Sequence, residues 1–277
     1  MKSRDRNIWI RRIEFFFQAI PLFFFYGLFA CMPVELASTI GGWIGRTIGP
    51  RLGATKRIHR NLHYIWPDLP HHERDTITRG TWDNLGRVVA EAPHLSHLYK
   101  KDYIHVQGLQ HLEYGVQSGR PMIFIGGHFA NWEISSFATA SNGVPLSVVY
   151  RKPNNPFADW LIRHIRKQNT HNLLKKGSAG ARGILRELTK GQSVGMLADQ
   201  KMNDGIKVPF MGRDAMTVMI PFMLALKTNA LLIPLQVVRT KSGPHFKVTL
   251  HKPLEANPAL TQEEQIHAWA MTMNNLY

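Results

Sequence analysis

Residues 121–133 read PMIFIGGHFANWE, and their reading decides the fold. Met122–Ile125 is a short, wholly apolar run, which suits a strand buried on both faces. It ends in Gly126-Gly127, and the next side chains are His128 and, five positions later, Glu133. A buried strand that stops at a glycine turn delivers its following residue to the rim of a sheet, where ligand sites are built in α/β proteins. Trp132–Ala140 then reads as a helix with Asn131 as its N-cap.

Downstream the pattern repeats. Leu146–Tyr150 reads as a strand and Pro156–Lys167 as a helix with proline in its first turn. Ser178 can cap a helix over Ala179–Lys190 that Gly191 closes. Ser193–Ala198 and Leu231–Arg239 read as strands around a helix at Val218–Lys227, and His245–Leu250 alternates as an edge strand would. Strands alternating with ten-residue helices imply βαβ units, hence an α/β fold: a largely parallel mixed sheet flanked by helices. Parallel strands would bring three strand ends to one edge: His128, Arg151 and Asp199-Gln200. Upstream, residues 34–103 form a helical, basic region broken by Pro67, Pro70 and Pro93, so the expected division is 1–33, 34–103 and 104–277.

The first of these segments is an expected membrane anchor. Residues 15–32, FFFQAIPLFFFYGLFACM, hold one plainly polar side chain, Gln18, in 18 positions, just enough to span or dip into a bilayer, with Pro21 as a kink site. Basic residues lie before it (Lys2, Arg4, Arg6, Arg11, Arg12) and after it (Arg46, Arg51, Lys56, Arg57, Arg60). They give no clear orientation but suit anionic headgroups. No small-x-small cleavage site follows the phenylalanine run, and Phe29 fits a lipoprotein box around Cys31 poorly.

Lys plus Arg number 34 against 19 acids, a net charge of +15 in 277 residues. Such a field implies an anionic partner: nucleic acid, membrane, phosphorylated substrate or acidic protein. Nucleic acid is disfavoured, because the cations flank an apolar anchor and no zinc-finger or RNA-binding signature is present. One cysteine excludes an intramolecular disulfide, and the pairs His59/His63 and His71/His72 lack the further ligands of a zinc site, so no metal is expected.

Three histidines stand five residues before an acid: His63/Asp68, His97/Asp102 and His128/Glu133. The first spans Pro67 and the second sits beside Lys100 and Lys101; only the third follows a buried strand. Histidine titrates nearest neutrality, and a carboxylate on one ring nitrogen fixes its tautomer so that the other can take a proton from a hydroxyl. With no nucleophilic serine or cysteine beside it, direct transfer between bound donor and bound alcohol is the simplest chemistry.

HFANWE (128–133) resembles the histidine–four residues–acid motif of the glycerolipid acyltransferase superfamily, and more closely that of the bacterial late acyltransferases of lipid A biosynthesis, in which the acid is glutamate. Further likeness lies in YRKPNNPFADWLIRHIRK (150–167), the helix ending in Lys190-Gly191, VGMLADQ (194–200), VPFMG (208–212) and TVMIPFMLALKTNALLIPLQV (217–237). The resemblance implies His128 as base with Glu133 as its partner, Arg166 as a substrate-positioning residue and Asp199 as the polar residue at the third strand end. Arg151 and Asn131 would neighbour them in the cleft. It implies acyl carrier protein as donor, a lipid A precursor as acceptor, no cofactor, and a bacterial inner-membrane enzyme with its catalytic domain on the cytoplasmic side. A lysophospholipid or other glycolipid acceptor is the alternative. Members usually continue past a helix like TQEEQIHAWAMTMNNLY (261–277) into an aromatic, basic tail that is not present here, which puts part of the acceptor's support in question.

Deleting residues 1–32 is expected to release much of the protein from membranes with the sheet still folded. Flotation of the truncated protein checks this; full retention with unchanged salt sensitivity would contradict it.

Overall fold

The computed structural model describes residues 3–99, 102–167, 170–175 and 178–277. Lys2, Lys100, Lys101 and the side chains of Arg4, Arg6 and Ser178 lie outside what is described.

The chain opens with α1 (Ser3–Ala30), which runs through Pro21 without a break in the helix. Its Ile10–Ala30 stretch is long and apolar enough to cross a bilayer, and Phe17 and Phe24 are more than 60% exposed. The helix is nonetheless docked. Asn155 Nδ2 donates to Phe15 O at 2.9 Å, His94 Nε2 meets Phe29 O at 2.9 Å, and Phe23 packs on Trp160 at 5.9 Å.

Next come α2 (Val34–Ile48), α3 (Thr55–Ile65), α4 (His71–Glu91) and the single turn α5 (Leu95–Leu98). Helices α2 and α4 touch backbone to backbone: a Cβ on Gly86 would overlap the Gly41 carbonyl, and one on Gly45 the Trp82 carbonyl. Only glycine permits that approach.

The α/β part contains β1 (Ile104–Gln107), α6 (Leu109–Gln117), β2 (Met122–Gly126), α7 (Phe137–Ala140) and β3 (Leu146–Tyr150). It continues with α8 (Pro156–Arg166), β4 (Thr170–Lys175), α9 (Ser178–Thr189) and β5 (Ser193–Leu197). Then follow β6 (Ile206–Phe210), β7 (Arg213–Thr217), α10 (Ile220–Thr228), β8 (Leu231–Arg239), β9 (Phe246–Leu250) and α11 (Gln262–Leu276). Seven strands form one sheet in the order β1-β9-β8-β2-β5-β3-β4. The five from β8 to β4 are parallel; β9 pairs antiparallel with β8 and parallel with β1, so the sheet is mixed. The edge position expected for His245–Leu250 is therefore not found. Strand β1 covers it, and Phe246, Val248 and Leu250 are buried.

Strand β2 lies at the sheet's centre, buried at every position. Its Ile123 and Ile125 face a core built with Leu188, Phe222 and Trp269, and its Met122 and Phe124 face another with Leu98, Leu112 and Ile134. Strands β6 and β7 form a separate hairpin whose two turn residues, Met211 (φ 50°) and Gly212 (φ 75°), both have positive φ, as a type I′ turn requires.

The α2–α4 contact is testable on one helix. Gly86→Ala should cost about 1–3 kcal/mol, read from a urea midpoint, because backbone has to move. Gly80→Ala, also in α4 but with nothing within 4 Å of its Cβ, should instead be neutral or stabilising by up to about 1 kcal/mol.

Candidate active site

Strands β2 and β5 are parallel neighbours in register, Gly126 beside Leu197, and Ala198 N–H donates to Gly126 O at 2.9 Å. Two residues past Gly126 stands His128; one past Ala198 stands Asp199. The two side chains therefore meet. His128 Nδ1 lies 2.7 Å from Asp199 Oδ1, and the His128 backbone N–H donates to Asp199 Oδ2 at 2.8 Å. Burial pushes the Asp199 carboxyl up, but its bonds from the His128 ring and backbone outweigh this and hold it below the usual carboxylate value. An ionised Asp199 accepts the Nδ1 proton, which leaves Nε2 with a free lone pair.

Glu133 does not make the bond to the imidazole expected of it; Asp199 does. Residues Trp132–Ser136 form a 3-10 turn, and there the Glu133 carboxylate accepts from Arg166 Nε at 2.8 Å, from Arg166 Nη2, and from Trp132 Nε1 at 3.0 Å. The fork of a guanidinium matches both carboxylate oxygens, so α8 captures this acid and Asp199 takes the histidine. Burial works to lower the Arg166 pKa, yet its bond to Glu133 raises it overall, keeping the ion pair charged. Trp132 links the two pairs, its ring 5.2 Å from His128 in an edge-on arrangement. Tyr99 donates to the Glu133 backbone carbonyl at 2.9 Å.

The other expected residues separate. Arg151 follows β3 and stands exposed at a cleft wall, as the strand-end reading required. Asn131 does not face a cleft. It is fully buried, its side-chain oxygen accepts the Glu133 N–H as an N-cap, and its amide donates to Glu91. Among the described residues no three His, Cys, Asp or Glu side chains gather closely enough to hold a metal ion.

Two clefts meet at His128, Trp132 and Arg166. The larger, about 760 Å³, is almost entirely apolar and runs between α1, the end of α2, α4 and α8. Its walls include Phe25, Phe29, Ile48, Leu85, Val89 and Ile162. The smaller, about 270 Å³, lies between the ends of β3 and β5 and the start of α9, with Arg151, Lys175 and Gln200 on its polar side.

The α/β sheet thus holds a carboxylate-braced histidine where an apolar cleft opens, an arrangement suited to an enzyme. The profile of the family described as bacterial lipid A biosynthesis acyltransferase matches residues 12–276, and the chain belongs to that family. It is 25% identical over 237 residues to a lipid A biosynthesis acyltransferase of Haemophilus influenzae, covering 81% of this chain and 74% of that one. Against the lipid A biosynthesis lauroyltransferase of Escherichia coli K12 it is 26% identical over 223 residues, 77% and 71% of the two chains. A phosphatidylinositol mannoside acyltransferase of Mycolicibacterium smegmatis is 24% identical over 215 residues, covering 75% and 70%. Among solved structures, the 1-acyl-sn-glycerophosphate acyltransferase of Thermotoga maritima aligns over 87% of this chain and 95% of its own with a TM-score of 0.38 and 12% identity. The protein is an acyltransferase.

The depressed Asp199 pKa has a sign. Its bonds stabilise the folded state above the unfolded carboxyl's value of about 4, and that contribution disappears as pH falls through the lower folded value. Asp199→Asn should therefore be less stable than wild type at pH 7, with the gap in urea midpoint narrowing below about pH 4.

Proposed function

We propose that the protein transfers a fatty acyl group from an acyl carrier protein thioester to a hydroxyl of a lipid A precursor, with His128 as general base. The observation that carries this is the position of His128, its Nδ1 bonded to Asp199, where an apolar cleft meets a cleft with cationic side chains. The acyl chain lies in the larger cleft and brings its carbonyl to Nε2. Nε2 removes the proton of the acceptor hydroxyl, and the oxygen attacks the thioester carbonyl. The imidazolium formed is stabilised by Asp199, and it returns the proton to the departing thiolate as the tetrahedral intermediate collapses.

The Glu133–Arg166 pair acts beside this dyad. Glu133 locks the guanidinium in place, and Arg166, in the walls of both clefts, turns positive charge toward the developing oxyanion. Arg151 and Lys175 face the anionic part of a bound substrate. A net charge of +15 draws in an acidic carrier protein and anionic lipid. With α1 in the inner membrane, the catalytic part stands on the cytoplasmic side.

A second acceptor class has one observation in its favour, the similarity to a phosphatidylinositol mannoside acyltransferase. Purified protein incubated with acyl carrier protein thioester and, separately, a phosphorylated disaccharide precursor, a mannosylated phosphoinositide and a lysophospholipid distinguishes the acceptors by the acyl mass gained. Gain on the disaccharide is expected, and gain only on another acceptor would replace the reading. His128→Ala should lose at least about a hundredfold in turnover. Asp199→Asn should lose up to about ten-thousandfold. His63→Ala and His97→Ala should stay near wild type; wild-type turnover in His128→Ala would end the general-base assignment.

A further inference from the structure

The turn that carries the site, His128 to Glu133, is strained at its middle. Ala130 has φ 45°, in the left-handed region that an L-residue with a Cβ avoids. Something outside the turn has to hold it there. The Ala130 carbonyl accepts a hydrogen bond from Asn84 Nδ2 at 2.8 Å. The next residue, Asn131, is fully buried, and its Nδ2 donates to Glu91 Oε2 at 2.8 Å. Glu91 is itself fully buried and is fixed by Ser38 Oγ at 2.7 Å and by Arg239 Nη1 at 2.6 Å. Asn84 and Glu91 are seven residues apart in α4, two turns along one helix face.

We propose that α4 clamps the catalytic turn, with Asn84 and Glu91 as positioning residues that set His128 and Glu133 without touching substrate. Asn84 fixes the left-handed residue and Glu91 fixes the N-cap, whose oxygen in turn takes the Glu133 N–H. The same helix contributes Leu85 and Val89 to the apolar cleft, so one rigid element sets both the acyl-chain wall and the base. The consequence for turnover rests on the acyl-transfer reading above; the clamp itself does not.

Glu91 is a poor probe, because removing it strands the guanidinium of Arg239, whose side chain is only 14% exposed. Asn84 is half-buried, and Asn84→Leu keeps the branched four-atom outline while deleting the donor. In the full-length protein, hydrogen exchange reads the turn through the protected amides of His128, Glu133 and Ile134. Asn84→Leu is expected to speed exchange in peptides covering residues 126–136 by about tenfold, with α4 unchanged. Turnover should fall about tenfold or more at nearly constant KM. Ala130→Gly added to Asn84→Leu should recover part of that loss, since glycine takes positive φ without a clamp. Unchanged exchange in the turn, acceleration spread along α4, or a double variant no faster than Asn84→Leu would each overturn the proposal. If the exchange result holds while wild type transfers no acyl group to any acceptor, the clamp stands and the functional reading fails.

Discussion

The register between β2 and β5 is the constraint on which the rest depends. Because these strands are parallel neighbours, with Ala198 N–H bonded to Gly126 O, the residues just past their ends have no choice but to share a corner of the sheet. His128 and Asp199 occupy that corner. A slip of one residue in either strand would turn alternate side chains to the wrong face and move the carboxylate away from the ring. Burial of β2 on both sides, by Ile123 and Ile125 on one face and Met122 and Phe124 on the other, is what makes such a slip costly.

Around that corner the charges are divided into two closed pairs, and each acid has a reason for its partner. Asp199 arrives on a neighbouring strand and receives both a ring and a backbone N–H from His128. Glu133 arrives on a 3-10 turn and meets the guanidinium at the last turn of α8. Separating the pairs leaves the imidazole bonded to a carboxylate of its own, with the Arg166 charge in the same cleft wall.

Much of this was legible in the sequence. The strands Met122–Ile125, Leu146–Tyr150 and Leu231–Arg239 were readable because they are apolar, β-branched and bounded by turn residues, and Asn131 caps as its type and place suggest. Strand β4, THNLLK, escaped because its polar residues carry neither alternation nor an apolar run, and β9 read as an edge because the short IHVQ strand that covers it gives little signal. At the site, His128 was legible from the strand before it. Its partner was not, because five residues of separation made Glu133 look close while Asp199, 71 residues away, is adjacent only through strand order. The three strand ends on one edge held the clue, since Asp199 was already placed there. Asn84 and Glu91 offered no signal at all: on a helix remote in sequence, each reads as an ordinary polar residue.

The larger cleft has one wall made by α1, whose outer side presents Phe17 and Phe24 outward. Seated in a bilayer, that wall would bring a hydrocarbon phase to within one helix of the cleft. An apolar group passing from lipid into such a space would leave one oily medium for another, so the roughly 0.8 kcal/mol per methylene that water would contribute would be missing from its binding. What remains is contact: how well the rings and branched side chains fill the space around it, the same source of selectivity that governs helix association within membranes. Discrimination among groups arriving from the bilayer would be a matter of shape, nearly blind to greasiness.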